Sequence, residues 1–229
     1  MNYRIYWFGM LCFTVSCFIS CGPQPAEDAE STDKVDSGYV KYPMSDFKHL
    51  KINCDYGRLA VQVYQYDKPY VEVHTSYQKY INFEERGDSL IIYTIKSPKS
   101  TKGSPVKKRL RIYVPDLDSY ESEISQTTFT NFRTERLDVK LKNDFFRVYE
   151  CGFERLSVTT EDACRVVIDN ENVVLAANIR MNEESYLNCE APIGEFVLIK
   201  ETLNNVRMTE IPAANFKWVK KLETNLSNQ

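Results

Sequence analysis

The stretch Glu135-Arg136-Leu137-Asp138-Val139 recurs 19 positions later as Glu154-Arg155-Leu156-Ser157-Val158. Each copy is followed by polar turn residues, Asn143-Asp144 and Glu161-Asp162, and then by a second apolar stretch, Val148 and Val166-Val167-Ile168. Fainter copies follow at Asn178-Ile179-Arg180-Met181 and Phe196-Val197-Leu198-Ile199-Lys200. A strand–turn–strand unit of roughly 20 residues cannot bury its apolar face alone, but stacked copies share one core. The repeat predicts the rungs of a β-solenoid, a β-helix-like stack. Asn170, Asn172, Asn182, Asn204 and Asn205 suit its turns, because asparagine tolerates a left-handed backbone and hydrogen-bonds locally. A β-sandwich of short strands is the alternative.

Upstream of the repeat the pattern is again period two. Leu50, Ile52 and Cys54 alternate with Lys51 and Asn53, and Leu59, Val61 and Val63 alternate with Ala60 and Gln62. Val71 and Val73 flank Glu72, and Ile81 and Phe83 flank Asn82. Glu85-Arg86-Gly87-Asp88-Ser89 has turn chemistry before Leu90-Ile91-Ile92-Tyr93. Leu110, Ile112 and Val114 alternate with polar or aromatic neighbours until Pro115 ends the run. No long helical periodicity intervenes. The expectation is an all-β domain over 44–229, with an N-terminal β-hairpin region ahead of the stacked rungs.

The N-terminus reads as an address. A single positive charge, Arg4, precedes an uncharged apolar run from Ile5 to Ile19. That run is shorter than the ~20 residues a membrane-spanning helix needs, and it has the layout of a secretory signal. Phe18-Ile19-Ser20-Cys21-Gly22 resembles the lipobox of bacterial lipoproteins, which implies cleavage after residue 20 and lipidation of Cys21. Cys17 is a poorer second candidate, since it would leave an apolar stub. An ordinary signal peptide is the plainer alternative. Residues 21–43 begin Cys21-Gly22-Pro23-Gln24-Pro25 and continue acidic and polar, so they read as a flexible tether. An acidic segment just after the cysteine resembles the surface-export signals of Bacteroidota lipoproteins. The expected partner is therefore a membrane, reached through the lipid anchor, in the cell envelope at the outer membrane and on its surface.

The formal net charge of −3 argues against a nucleic-acid partner, which would need a broad basic surface. Export permits disulfides. Cys54, Cys151, Cys164 and Cys189 allow three pairings, but each sits in or beside a strand-like run, which favours reading them as small core residues.

Two further blocks resemble a known family. Asp46-Phe47-Lys48-His49-Leu50-Lys51-Ile52 is similar to the opening strand of the auto-transporter adhesin head, or GIN, domain. Arg111-Ile112-Tyr113-Val114-Pro115-Asp116-Leu117-Asp118-Ser119-Tyr120 is similar to its strand ending in Val-Pro-x-Leu. The resemblance covers about residues 40–220 and implies stacked β-rungs and an adhesin-like role. It departs in its turns: relatives use Gly and Ser where this chain has Ser125-Gln126-Thr127-Thr128 and scattered Asn. It carries over no catalytic residue.

Chemistry-bearing constellations are sparse. His49 and His74 stand apart, without the three or four local ligands of a zinc site. Glu84-Glu85, Glu161-Asp162 and Glu183-Glu184 are neighbours whose side chains point to opposite faces of a strand, whereas glycoside hydrolysis needs two carboxylates flanking one bond. Asp116 and Asp118 would share a face if extended. No phosphate-cradling glycine loop or Gly-x-Ser-x-Gly elbow occurs, and no cofactor is implied. Tyr56, Tyr64, Tyr66 and Tyr70, with Tyr77 and Tyr80 nearby, form a candidate ligand patch; the plainer reading is ordinary sheet tyrosines. Lys99, Lys102, Lys107, Lys108 and Arg109 form a candidate anion-binding loop; the plainer reading is a solvated loop. The function expected is non-enzymatic binding of a glycan or protein. A carbohydrate-active enzyme on a β-helical scaffold and a structural envelope-assembly protein are the alternatives.

Overall fold

In the computed structural model of the chain the described residues are 38–54, 59–95, 110–209 and 211–220. The period-two runs become strands, most with a dry face and a wet one, although Leu59 to Val63 is buried on both. Their order is β1 (Tyr39–Pro43), β2 (His49–Asn53), β3 (Leu59–Gln65), β4 (Tyr70–His74), β5 (Ile81–Arg86), β6 (Ser89–Thr94), β7 (Leu110–Val114), β8 (Ser119–Glu123) and β9 (Ser125–Thr130). The repeat region continues with β10 (Arg133–Lys142), β11 (Phe145–Tyr149), β12 (Gly152–Glu161), β13 (Arg165–Ile168), β14 (Val173–Arg180), β15 (Tyr186–Cys189), β16 (Ile193–Lys200), β17 (Val206–Met208) and β18 (Phe216–Lys220). The helical elements among the described residues are two short 3-10 turns.

The strands form two nine-stranded sheets. The first runs β1-β4-β7-β3-β9-β11-β13-β15-β17 and the second β18-β16-β14-β12-β10-β8-β2-β6-β5. From β6 onward successive strands alternate between the sheets, and each pairs in parallel with a strand one unit away. Leu137 lies beside Leu156, which lies beside Ala177, then Phe196, then Phe216. The 19-residue sequence match is thus a spatial register, with like side chains stacked on like. These inward columns, with Phe146, Val166 and Leu187 from the first sheet, make one continuous core.

The turns between sheets explain how so short a unit reverses direction. Ile124, Asn131, Asn143, Glu150, Asp162 and Asn205 all have positive φ, between 51° and 62°. At these six corners a single left-handed residue swings the chain from one sheet to the next, whereas the corners after β13, β14 and β15 turn without one. Of the asparagines expected in this role only Asn205 fills it. Asn172 is buried; its side chain accepts from the Cys151 amide and donates to the Val148 and Asp169 carbonyls.

The N-terminal half departs from a simple hairpin region. β2, β3, β6 and β7 are themselves parallel members of the two sheets, and the antiparallel pairs are β1–β4, β4–β7 and β5–β6 at one end. β2–β3 is wedged between β6–β7 and β8–β9, so Pro115–Asp118 must carry the chain past it. That crossing is pinned by Lys48, whose carbonyl accepts from the Asp118 and Ser119 amides. β1 lies within the 21–43 stretch read as tether: Tyr39-Val40-Lys41-Tyr42 alternates and pairs with β4. Its short pattern was obscured by the polar residues before it.

Candidate functional site

The outer face of the first sheet gathers aromatic rings. In-register pairing places Tyr70 opposite Tyr113, and Tyr113 beside Tyr64, across three adjacent strands. Their rings stack, Tyr70 on Tyr113 at 4.2 Å and Tyr113 on Tyr64 at 5.2 Å between centroids. Tyr66 meets Tyr70 and Tyr113 edge-on at 5.5 and 6.1 Å. Lys41 sits 3.6 Å from the Tyr70 ring centre and Arg111 4.0 Å from that of Tyr39. Glu72 pairs with Arg111 at 3.4 Å and accepts from the Tyr113 hydroxyl at 3.3 Å. Burial, with Glu72 adding to it, pushes the Tyr113 phenol well above its ordinary range, so it stays a neutral donor.

Three of the four tyrosines singled out in sequence, Tyr64, Tyr66 and Tyr70, therefore come together. Tyr56 lies outside the described residues, as do Cys21 and Lys99, Lys102, Lys107, Lys108 and Arg109. Tyr113 and Tyr39 complete the cluster; Tyr113 was visible only as an alternating strand residue and Tyr39 lay in the stretch read as tether, and the pairings that bring them together are long-range. Stacking has a chemical consequence. Tyr70 has one ring face on Tyr113 and the other under Lys41, so neither is open to stack on a sugar. Tyr66, 48% exposed, offers the most accessible ring surface of the group.

The remaining candidates separate. Asp116 is bound by Lys48 at 2.7 Å; burial alone would raise its carboxyl, but Lys48 and the Thr134 hydroxyl hold it below the usual range. Glu183 accepts from the Thr202 amide and hydroxyl and lies 3.4 Å from the buried Lys200. His74 packs edge-on against Tyr39. His49 lies between Ser119, 2.8 Å from Nδ1, and Asp88, 3.5 Å from Nε2. Ser119 and His49 meet through a register 70 residues apart, which no local pattern announces. Cys54, Cys151, Cys164 and Cys189 are free thiols in the core. Burial pushes Cys189 up to about 12 and Cys151 to about 11, so neither supplies a thiolate at neutral pH.

No family model matches the chain, and no curated protein does. Solved structures do. One, named a "putative adhesin", from Parabacteroides merdae, is 14% identical with a TM-score of 0.39, over 80% of this chain and 91% of that one. A second of the same name, from Bacteroides fragilis, is 12% identical with a TM-score of 0.45, over 80% and 94%. A third, named a "putative lipid binding protein", from Parabacteroides distasonis, is 11% identical with a TM-score of 0.36, over 81% and 96%.

Proposed function

We propose that the chain is a non-enzymatic, adhesin-like binding module of the cell envelope: a β-solenoid of the adhesin-head (GIN) type, lipidated at Cys21 and carried on the outer membrane. The parallel offsets of one repeat between neighbouring strands support the solenoid reading. The tyrosine cluster with Lys41 and Arg111 carries the binding reading. It is a rigid, partly exposed surface with hydroxyl and guanidinium edges, suited to a glycan or protein held by hydrogen bonds and contact with Tyr66. The ion pairs of Asp116 with Lys48 and Glu121 with Lys51 weigh against an enzyme, since carboxylates held by lysines are poorly placed to act on one bond.

A glycan and protein array probed with the wild-type chain and with Tyr64→Ala/Tyr66→Ala tests this. Binding that falls at least about tenfold in the double variant is expected; binding that is unchanged removes the patch. Labelling with radioactive palmitate, lost in Cys21→Ser, tests the anchor. Protease treatment of intact cells tests surface display, which fails if the domain is cut only after lysis.

A further inference from the structure

The two sheets carry their outward cations differently. On the second sheet they meet carboxylates: Lys51 with Glu121 at 2.6 Å, Lys142 with Glu123 at 2.8 Å and Arg136 with Asp138 at 2.6 Å. On the first they rest on rings. Lys41 and Arg111 do so within the tyrosine cluster, and the pattern continues beyond it. Arg147 lies 5.8 Å from the centre of the Tyr149 ring, and Arg165 lies between Phe145 and Tyr186 at 5.7 and 5.3 Å.

Strand register turns these contacts into a line. One in-register row crosses all nine strands of the first sheet, from Lys41 on β1 to Arg207 on β17. Cations stand on its first, third, sixth and ninth strands, as Lys41, Arg111, Arg147 and Arg207. Glu72 is its one carboxylate, and Gln62, Thr128, Val167 and Asn188 fill the gaps. Aromatic rows flank it. Tyr70, Tyr113, Tyr64 and Tyr149 lie on one side. Phe145 and Tyr186 lie on the other, with Arg165 between them. At ~4.8 Å per strand the row is about 40 Å long.

Its charge is not cancelled. Glu72 takes Arg111, and Asp169 takes Arg147 through two contacts at 2.5 and 3.0 Å. Lys41, Arg165 and Arg207 are exposed, and among the described residues no carboxylate holds them. Asp169 and Glu190 follow the ends of β13 and β15, so they border the row rather than interrupt it. A ring beneath a guanidinium fixes its plane and leaves its N–H edge free to take an oxyanion through two parallel hydrogen bonds.

Spacing identifies the occupant. Cations two or three strands apart are separated by about 10–15 Å. A nucleic-acid strand carries a charge every ~3.4 Å, far more than this row can answer. A sugar chain charged on only some of its units, with hydroxyls between, matches sparse cations separated by the Thr128 hydroxyl and the Asn188 amide. We infer that the outer face of the first sheet is a track for an extended acidic polysaccharide, whose carboxylate or sulfate groups pair with Lys41, Arg165 and Arg207. This rests on the binding reading above and gives its ligand a charge and a length: the polymer crosses the strands from the tyrosine cluster to β17.

The full chain in mild detergent, titrated with polygalacturonate, dextran sulfate, neutral dextran and a thymidine oligonucleotide, tests this. Binding of a charged polysaccharide is expected, weakening as salt rises, with dextran at least about tenfold poorer. Arg165→Gln/Arg207→Gln, three and five strands from Tyr64, should weaken it about tenfold with an unchanged melting curve. Arg136→Gln, on the second sheet, should leave it as it was. Binding indifferent to the arginine pair but lost in Tyr64→Ala/Tyr66→Ala overturns the track and leaves the binding reading standing. Failure to bind either charged polysaccharide overturns the inference, and so does a preference for dextran or for the oligonucleotide.

Discussion

Asp144 is the residue where chemistry and stability are most tightly joined. It is 2% exposed and lies against Ser122 and Ser125, which continue through Thr127 to Tyr120. Five close contacts link these groups: Tyr120–Thr127 at 2.5 Å, Thr127–Ser125 at 2.8 Å, Ser125–Ser122 at 2.6 Å, Ser125–Asp144 at 2.8 Å and Ser122–Asp144. Burial pushes the Asp144 carboxyl up, against the opposing pull of the Ser122 and Ser125 hydroxyls that donate to it. The other titratable groups facing it, Tyr120 and Cys164, are also raised by burial and remain neutral. A carboxyl whose folded pKa exceeds its unfolded value of ~3.9 holds its proton longer in the folded state. Its contribution is complete below the unfolded value and is lost as pH climbs through the folded one. Urea denaturation of wild type and Asp144→Asn, compared from pH 4 to 8, should show the wild type losing stability relative to the variant as pH rises. A difference that is flat, or that grows in favour of the wild type, would show that Asp144 is ionised throughout.

At the scale of the strand, the alternation slips once in each of four neighbours, for two successive residues point outward at Glu135-Arg136, Glu154-Arg155, Leu175-Ala176 and Gly194-Glu195. A side chain built at Gly194 would put its Cβ 2.6 Å from the Leu175 carbonyl oxygen, part of the neighbouring backbone. Gly152 stands two strands further in, where an added Cβ would meet the Arg133 Cγ at 3.3 Å. Backbone cannot step aside and a long side chain can. Gly194→Ala should therefore cost about 1–3 kcal/mol in urea denaturation, and Gly152→Ala about 0.5 kcal/mol or less; equal losses would contradict this packing. Strand existence was legible throughout, because Leu110-Arg111-Ile112 or Leu137-Asp138-Val139 buries one face by alternation alone. The slips were not legible, since Glu135-Arg136 reads as two polar residues whether or not the strand bends. The corners were half legible. Asn143 and Asp162 are recognisable turn formers, but Ile124 at φ 56° is a β-branched residue where glycine or asparagine would be expected.

Over the whole molecule, sequence reading recovered the part built from adjacent repeats and missed the part that is not. β10 to β18 stack in chain order, so a 19-residue match and a spatial neighbour are the same thing. β2–β3 is separated from its neighbours by 40 residues on one side and 70 on the other, for His49 pairs with both Ser89 and Ser119. For the same reason the tyrosine cluster was read as a run from Tyr56 to Tyr70, when its centre, Tyr113, enters from β7. The stack also has unequal ends. One is closed by antiparallel β1 and β5. The other ends on β17, three residues long, and on β18, where Trp218 remains 42% exposed. In a stack stabilised by nearest neighbours, a terminal unit lacks one of its two interfaces, and its local opening is correspondingly easier. Native-state hydrogen exchange should find β17 and β18 amides exchanging fastest among the strands. Protection should rise through β16 and β14 to the ten-residue strands β12 and β10, which are flanked on both sides. Uniform protection from β8 to β18 would instead mean that the stack opens only as a whole.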